Sequence, residues 1–391
     1  MRNRIGGLFS EIFKLKYIGI ADIIGNGLGA LFWFIIASIV GVEDYGKIGF
    51  IIATAGIMST ISQLGTASTT TVLIAKNVKI QHSTYFVAII GSIISSIAII
   101  LIFQDVKIAI LIPAFVVFNL SISELIGLQE FKTYAIFVLS QKALMFFFGI
   151  IFYYIFGYQG VIIGIAISYL PHGYRVISIF QNTIFNFKLL KEKFRFLMNN
   201  FALDISAEFA SSFDKFIIVP LFGFVILGNY QLSIQFLTML FIVPNIFYKY
   251  ILSAEASGKI NSNMPRFLIV SSCIMAIFGF IFGPVILPGL FPKFSEIGNL
   301  IQVLSFAVIP NSINSVYVAK LIGREQNRVV LGGSIAFIII QLLLIMTLGK
   351  SIGIIGISIA LVIAEISKTI YYMIINKKMN LEMSLGRKTK E

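Results

Sequence analysis

Within a strongly apolar chain, a few ionisable side chains sit where lipid would otherwise exclude them, and their spacing sets the chemistry to look for. Residues 199–230, NNFALDISAEFASSFDKFIIVPLFGFVILGNY, are hydrophobic enough to cross a membrane yet hold Asp204, Glu208, Asp214 and Lys215. A charged group at a bilayer centre costs roughly 2.5–3.5 kcal/mol or more, so each needs a partner or a use. On a continuous helix advancing ~100° per residue, Asp204, Glu208, Ser211 and Lys215 share one stripe, while Phe209, Phe213, Phe216 and Ile217 point elsewhere. That stripe is expected to face water or protein.

The chain opens on the same design. Asp22 precedes Gly41 by the interval that separates Asp204 from Gly223, which matches Asn26 to Glu208 and Trp33 to Lys215. Glu124, Lys142, Arg175, Glu365 and Lys368 complete the set of charges within or near predicted spans. Asp214 with Lys215, and Glu365 with Lys368 one turn on, read equally well as local pairs that pin helices. Arg175 and Lys142 have stems long enough to snorkel. Asp22, Asp204 and Glu208 have no basic neighbour in sequence and are read as functional, lining a central cleft.

Other chemistries find little support. The two histidines, His82 and His172, are far apart, Cys273 is the only cysteine, and no phosphate-cradling glycine loop precedes a Lys-Ser/Thr pair. This argues against an ATPase, a metalloenzyme or a thiol enzyme, and no cofactor or metal is expected.

The elements that must position these groups follow from composition. Of the 391 residues 58% are hydrophobic and 12% charged, against about 25% charged in soluble domains, so the chain reads as an all-α polytopic membrane protein. With ~20 apolar residues per crossing, twelve helices are expected near 17–40, 46–74, 83–103, 107–127, 133–156, 159–181, 198–221, 229–252, 266–288, 297–319, 328–348 and 353–376. The second is long enough to tilt or project.

The formal charge of +13 sorts by loop, as topology requires, rather than marking a nucleic-acid surface. Basic residues crowd alternate connections, among them Arg2, Arg4, Lys14 and Lys16, then Lys188, Lys191, Lys193 and Arg195, then Lys249, Lys259 and Arg266, then Lys320, Arg324 and Arg328, and at the end Lys377 to Lys390. The opposite loops hold only Lys47, Lys107, Lys293 and Lys350. Both termini are therefore expected on the cytoplasmic side of the cell membrane. Residues 182–197 interleave phenylalanines with basic residues, the pattern of a segment lying on anionic membrane lipid. They divide an N-lobe (1–181) from a C-lobe (198–391). The final helices of the lobes also match, with QGVIIGIAISYL from Gln159 aligned to SIGIIGISIALV from Ser351, so that Gly164 meets Gly356. Six helices being an even number, the repeat is parallel, giving two pseudo-symmetric six-helix bundles.

Several motifs then resemble those of the polysaccharide-export and O-antigen flippases, within the multidrug/oligosaccharidyl-lipid/polysaccharide exporter superfamily. They are Gly41-Val-Glu-Asp-Tyr45-Gly46, Gln63-Leu64-Gly65-Thr66-Ala67, Ser212-Phe213-Asp214-Lys215-Phe216-Ile217-Ile218, Leu227-Gly228-Asn229-Tyr230 and Gly289-Leu290-Phe291-Pro292-Lys293-Phe294. The resemblance implies two six-helix bundles around a central cavity, alternating access, and transfer of a polyprenyl-pyrophosphate-linked oligosaccharide from the inner to the outer leaflet. The family often holds the pyrophosphate with basic residues. The first two helices here carry none within the membrane, which leaves Lys215 as the leading headgroup contact, with Arg175, Lys142 and Lys368. On this resemblance Asp22, Asn26, Asp204, Glu208, Asp214 and Glu124 would supply the cavity or coupling-ion positions, and Asp22, Asp204 and Glu208 would bind a coupling proton or sodium ion, or the hydroxyls of sugars. A cation-coupled multidrug exporter of the same superfamily is the first alternative, and a membrane-embedded glycan polymerase or ligase the second.

Overall fold

The computed structural model describes residues 2–181, 185–242, 244–245, 264–323 and 326–388. Lys249, Lys259, Arg324 and Lys390, the end of the eighth expected span and the start of the 182–197 linker lie outside the described residues. The helices are α1 (Arg2–Ile39), α2 (Val42–Gln63), α3 (Thr66–Ala75), α4 (Gln81–Phe103), α5 (Val106–Gly127), α6 (Phe131–Phe156), α7 (Tyr158–Ser168), α8 (Leu170–Gln181), α9 (Phe187–Glu192), α10 (Phe194–Ser212) and α11 (Asp214–Leu240). After the undescribed stretch come α12 (Met264–Leu290), α13 (Ile297–Leu304), α14 (Val308–Gly323) and α15 (Asn327–Lys388). No strand occurs among the described residues.

Nine described helical runs are long and apolar enough to cross a bilayer, and the bent pair α2–α3 makes a tenth. Two of the nine, of 47 and 53 residues, are interrupted at Gly223 and at Ile352–Gly353. At ~1.5 Å rise per residue, each is more than twice as long as the ~30 Å hydrocarbon core and supplies two passages. The described chain thus accounts for the expected twelve crossings. Their outward surfaces are apolar, with side chains such as Ile94, Leu101, Val285 and Ile374 exposed, as lipid-facing helices require.

The described residues fall into two compact units, one formed by Met1–Val40 and Lys47–Glu208, the other by Gly41–Gly46 and Phe209–Glu391. In the first unit, α6 runs along α1 through a ladder of paired contacts. The Tyr134 hydroxyl donates to Asp22 Oδ1 at 3.0 Å, Phe146 packs on Phe32 with ring centroids 6.5 Å apart, and the Tyr153 hydroxyl donates to the Ile39 carbonyl at 3.0 Å. The long second span is bent by 53° rather than tilted. Leu64 and Gly65 both take left-handed backbone (φ 51° and 78°), and a Cβ on Gly65 would collide with the backbone of Leu197 and Phe201. Glycine is needed there twice over, for its φ and for the close approach of α10.

The internal repeat is visible in backbone contacts. In the second unit Gly46 lies against the Phe224 carbonyl and Gly228 against the Val42 carbonyl. The offset relating these two pairs is the one that relates Asp22 to Asp204. At the later hairpins the matched glycine differs from the expected one. Gly157 (φ 62°, ψ −147°) and Gly353 (φ 63°, ψ −142°) make the same turn. Three residues on, Gly160 abuts the Phe152 carbonyl as Gly356 abuts the Leu348 carbonyl. Gly160, not Gly164, is therefore the counterpart of Gly356. Gly164 packs one turn further along, against Phe148 and Gly149.

A second correction concerns residues 199–230. The helix does not run unbroken from Asp204 to Lys215: at Phe213 the ladder tightens, the Phe216 amide bonding the Phe213 carbonyl at 3.1 Å in an i to i+3 turn. Such a turn winds a little tighter than an α-helix, and Lys215 still sits one turn on from Ser211, its Nζ bonding that residue's carbonyl at 2.9 Å. Asp204 and Glu208 pack within the first unit, whereas Asp214 and Lys215 lie in the second.

Candidate functional site

The bend at Gly65 carries α3 back across the first turns of α10, which places Ser68 opposite Asp204. The Ser68 hydroxyl lies 2.9 and 3.0 Å from the two carboxylate oxygens. One turn earlier on α10, Asn200 donates to the Thr69 hydroxyl at 3.0 Å. Beside this junction is a cavity of about 220 Å³, lined by Thr60 and Gln63 of α2, Ala67 and Ser68 of α3, Asn119, Ile122 and Ser123 of α5, and Asp204. Several of its walls are fixed by local bonds. Gln63 donates to the Ser59 carbonyl at 3.0 Å, Thr60 to that of Gly56 at 3.1 Å, and Thr71 ties α3 to the Ser123 carbonyl at 3.0 Å. Glu208, one turn beyond Asp204, brings Oε1 against Gly56, where an added Cβ would come within 2.6 Å.

Asp22 lies elsewhere in the first unit, bonded to Tyr134 beside the packed cluster of Ala21, Leu125, Ala135 and Val138. Ile122 packs against that cluster and also lines the Asp204 cavity. Asn26, one turn on from Asp22, is exposed. Lys142 lies across the glycine face of α1: its stem passes Gly25, and Nζ ends near the position of a Cβ on Gly29, at 3.9 Å. No hydrogen bond or ion pair joins Lys142 to another described residue.

The other two basic candidates are committed to carboxylates. Arg175 bonds Glu124 at 3.1 Å and Glu130 at 2.8 Å, while Glu124, 7% exposed, also accepts from the Tyr85 hydroxyl at 3.0 Å. Lys215, 5% exposed, bonds Asp214 Oδ1 at 3.1 Å and the Ser211 carbonyl at 2.9 Å. Tyr230 completes the group by donating to Asp214 Oδ2 at 2.7 Å. Of the two readings left open for Asp214 and Lys215, the geometry takes the local pair. The suggested Glu365–Lys368 pair is not what the geometry forms. Glu365 accepts from Asn311 and Asn314 at 3.2 and 2.7 Å, and Lys368 lies 5.3 Å from the centre of the Phe337 ring.

Sequence reasoning missed the hydroxyls and amides of the cavity, Thr60, Ser68, Asn119 and Ser123, and the tyrosines Tyr85, Tyr134 and Tyr230 that hold the carboxylates. One signal was available: the run Thr66-Ala-Ser-Thr-Thr-Thr71 is polar within an otherwise apolar span.

No family profile matches the chain, and no characterised protein sequence does either. Solved structures do. Lipid II flippase MurJ, in an inward closed conformation, superposes with a TM-score of 0.74 at 13% identity, over 92% of this chain and 87% of that one. An inward-facing multidrug resistance MATE family transporter of the MOP superfamily gives 0.73 at 14% identity, over 97% and 100%. A MOP superfamily transporter from Pyrococcus furiosus, described as having a binding pocket of reverse polarity, gives 0.59 at 14% identity, over 94% and 95%. At these identities the likeness is one of architecture: the chain has the fold of the MOP superfamily transporters.

Proposed function

We propose that this protein is a flippase that moves a lipid-linked oligosaccharide from the cytoplasmic to the outer leaflet by alternating access, for the synthesis of cell-surface polysaccharide. The observation that carries the reading is the Asp204 cavity, a polar chamber inside a bundle whose outer faces are greasy. A multi-sugar pyrophosphate cannot shed its water into hydrocarbon, since burying polar groups without partners costs several kcal/mol each. A hydrated chamber of this size offers such partners to part of that headgroup while the polyprenyl tail remains in lipid. The shared fold with a lipid II flippase supports the same reading.

In this reading the headgroup anion meets Lys142, which has no ion pair among the described residues, in preference to Lys215 or Arg175, whose charges are already balanced. Asp22 and Glu208 remain the positions for a coupling proton or sodium ion. The two lobes would be 1–181 and 198–391, joined by the basic linker on the lipid surface, with both termini cytoplasmic. Proteolysis of a C-terminal tag from the external face would refute that orientation. The protein would change the leaflet of its cargo and no covalent bond.

The second reading, a cation-coupled drug exporter, is favoured by the carboxylates facing the first unit's interior and by the fold shared with a multidrug transporter. Full-length protein in vesicles, given a labelled polyprenyl-pyrophosphate oligosaccharide, decides between them. Protein-dependent movement of the intact lipid, its mass unchanged and its rate cut at least tenfold by Lys142→Met, is expected of the flippase. Gradient-driven movement of cationic dyes without movement of the lipid would establish the exporter. A lengthened or transferred glycan would make the protein an enzyme.

A further inference from the structure

We infer that the Asp204 cavity is a subsite for one neutral, hydroxyl-rich ring, a single sugar residue, and that it turns phosphate away. Its polar lining is Thr60, Gln63, Ser68, Asn119, Ser123 and Asp204. None of these is cationic, and the single formal charge they carry is negative, so a phosphate placed there meets repulsion with no compensating ion.

A sugar meets the opposite conditions. Hydroxyl and amide groups both donate and accept, as sugar hydroxyls do, and a carboxylate accepts from two neighbouring O–H groups at once. In this structure the Ser68 hydroxyl lies within bonding distance of both Asp204 oxygens, which orients the carboxylate and leaves it lone pairs for a hydroxyl of a sugar. Ala67 and Ile122 give the cavity an apolar side for the C–H face of a pyranose.

Size separates the remaining ligands. About 220 Å³ holds roughly seven waters at ~30 Å³ each. A bare cation needs oxygens drawn in to about 2.3–2.6 Å around it, which a chamber of that width does not provide. Sites for drug-sized ligands usually begin near ~300 Å³, which leaves room for one ring and not for an oligosaccharide or a drug. The inference rests on the flippase reading only for the origin of the sugar. It divides the cargo's recognition in two, with the ring at Asp204 and the anionic linkage at Lys142, which is not part of the cavity wall.

The test uses full-length protein in a detergent without a sugar headgroup and saturation-transfer NMR with methyl β-glucopyranoside and N-acetylglucosamine. Saturable transfer is expected, with affinity at least tenfold lower in Asn119→Ala and Asp204→Asn and several-fold lower in Ser68→Ala. Inorganic phosphate should not compete, glucose 6-phosphate should bind more weakly than glucose, and exchanging sodium for choline should change nothing. Absence of saturable transfer, competition by phosphate, or sodium binding lost in Asp204→Asn without sugar binding would each overturn the subsite. Ser123→Ala serves as a further reporter should Asp204→Asn fail to fold. The vesicle assay separates the two proposals. Sugar binding without lipid movement removes the flippase and keeps the subsite. Lipid movement undiminished in Asn119→Ala, with no sugar bound, removes the subsite and keeps the flippase.

Discussion

Asp204 and Asp214 are ten residues apart on successive helices, and their surroundings could hardly differ more. Asp204 meets a serine hydroxyl at the edge of a polar chamber. Asp214 is 5% exposed and receives a lysine, its neighbour's amide and a tyrosine hydroxyl. A buried ion pair gains little over an apolar replacement, yet removing one partner leaves a stranded charge. The Asp214 group is therefore best understood as structural, and the incompletely neutralised Asp204 as the side chain open to a ligand.

This contrast can be broken most forcibly at Lys215. Lys215→Ala should cost about 3–5 kcal/mol by stranding Asp214, measured by thermal unfolding in detergent, and the double variant with Asp214→Asn should recover most of it. Recovery of nothing would show that the pair does not act as a unit. Tyr230→Phe removes one hydrogen bond to a charged group and should cost about 1.5–3 kcal/mol. Ser68→Ala also removes a bond to a carboxylate, but a part-buried one beside a cavity where water can replace the hydroxyl, so it should change stability by about 1 kcal/mol or less while lowering transport several-fold. Equal losses of stability at Ser68 and Tyr230 would erase the distinction. The gentlest probe is chemical. In a Cys273→Ser background, a cysteine at Ser123 should react with a charged thiol reagent in intact vesicles, and one at Tyr230 should not.

The arrangement of crossings was legible because lipid imposes length and apolarity on every span, and the common offset of Asp22 and Asp204 reappears in the contacts of Val42 and Phe224. The bend at Leu64–Gly65 was not legible. A glycine inside an apolar span looks the same whether it straightens, kinks or merely packs, and the deciding neighbour, Leu197, lies far along the chain. The cavity was hidden for a different reason. Serine and threonine in such helices often bond a carbonyl one turn back, as Thr54 does to Phe50 and Ser312 to Val308. Sequence cannot show that Ser68 reaches across to a carboxylate instead. For Asp214 and Lys215 the sequence left two readings open because the residue that completes their group, Tyr230, lies 16 residues beyond Asp214 along the chain.

The twin turns at Gly157 and Gly353 bear on where the molecule can flex. With carbonyl pressed against Cα just past each turn, the two arms of a hairpin have no slack and should travel as one stiff beam. Flexure is then left to the joints already bent, at Leu64–Gly65 and around Pro220 and Gly223. Stiffening either joint should slow the cycle without loosening the beams.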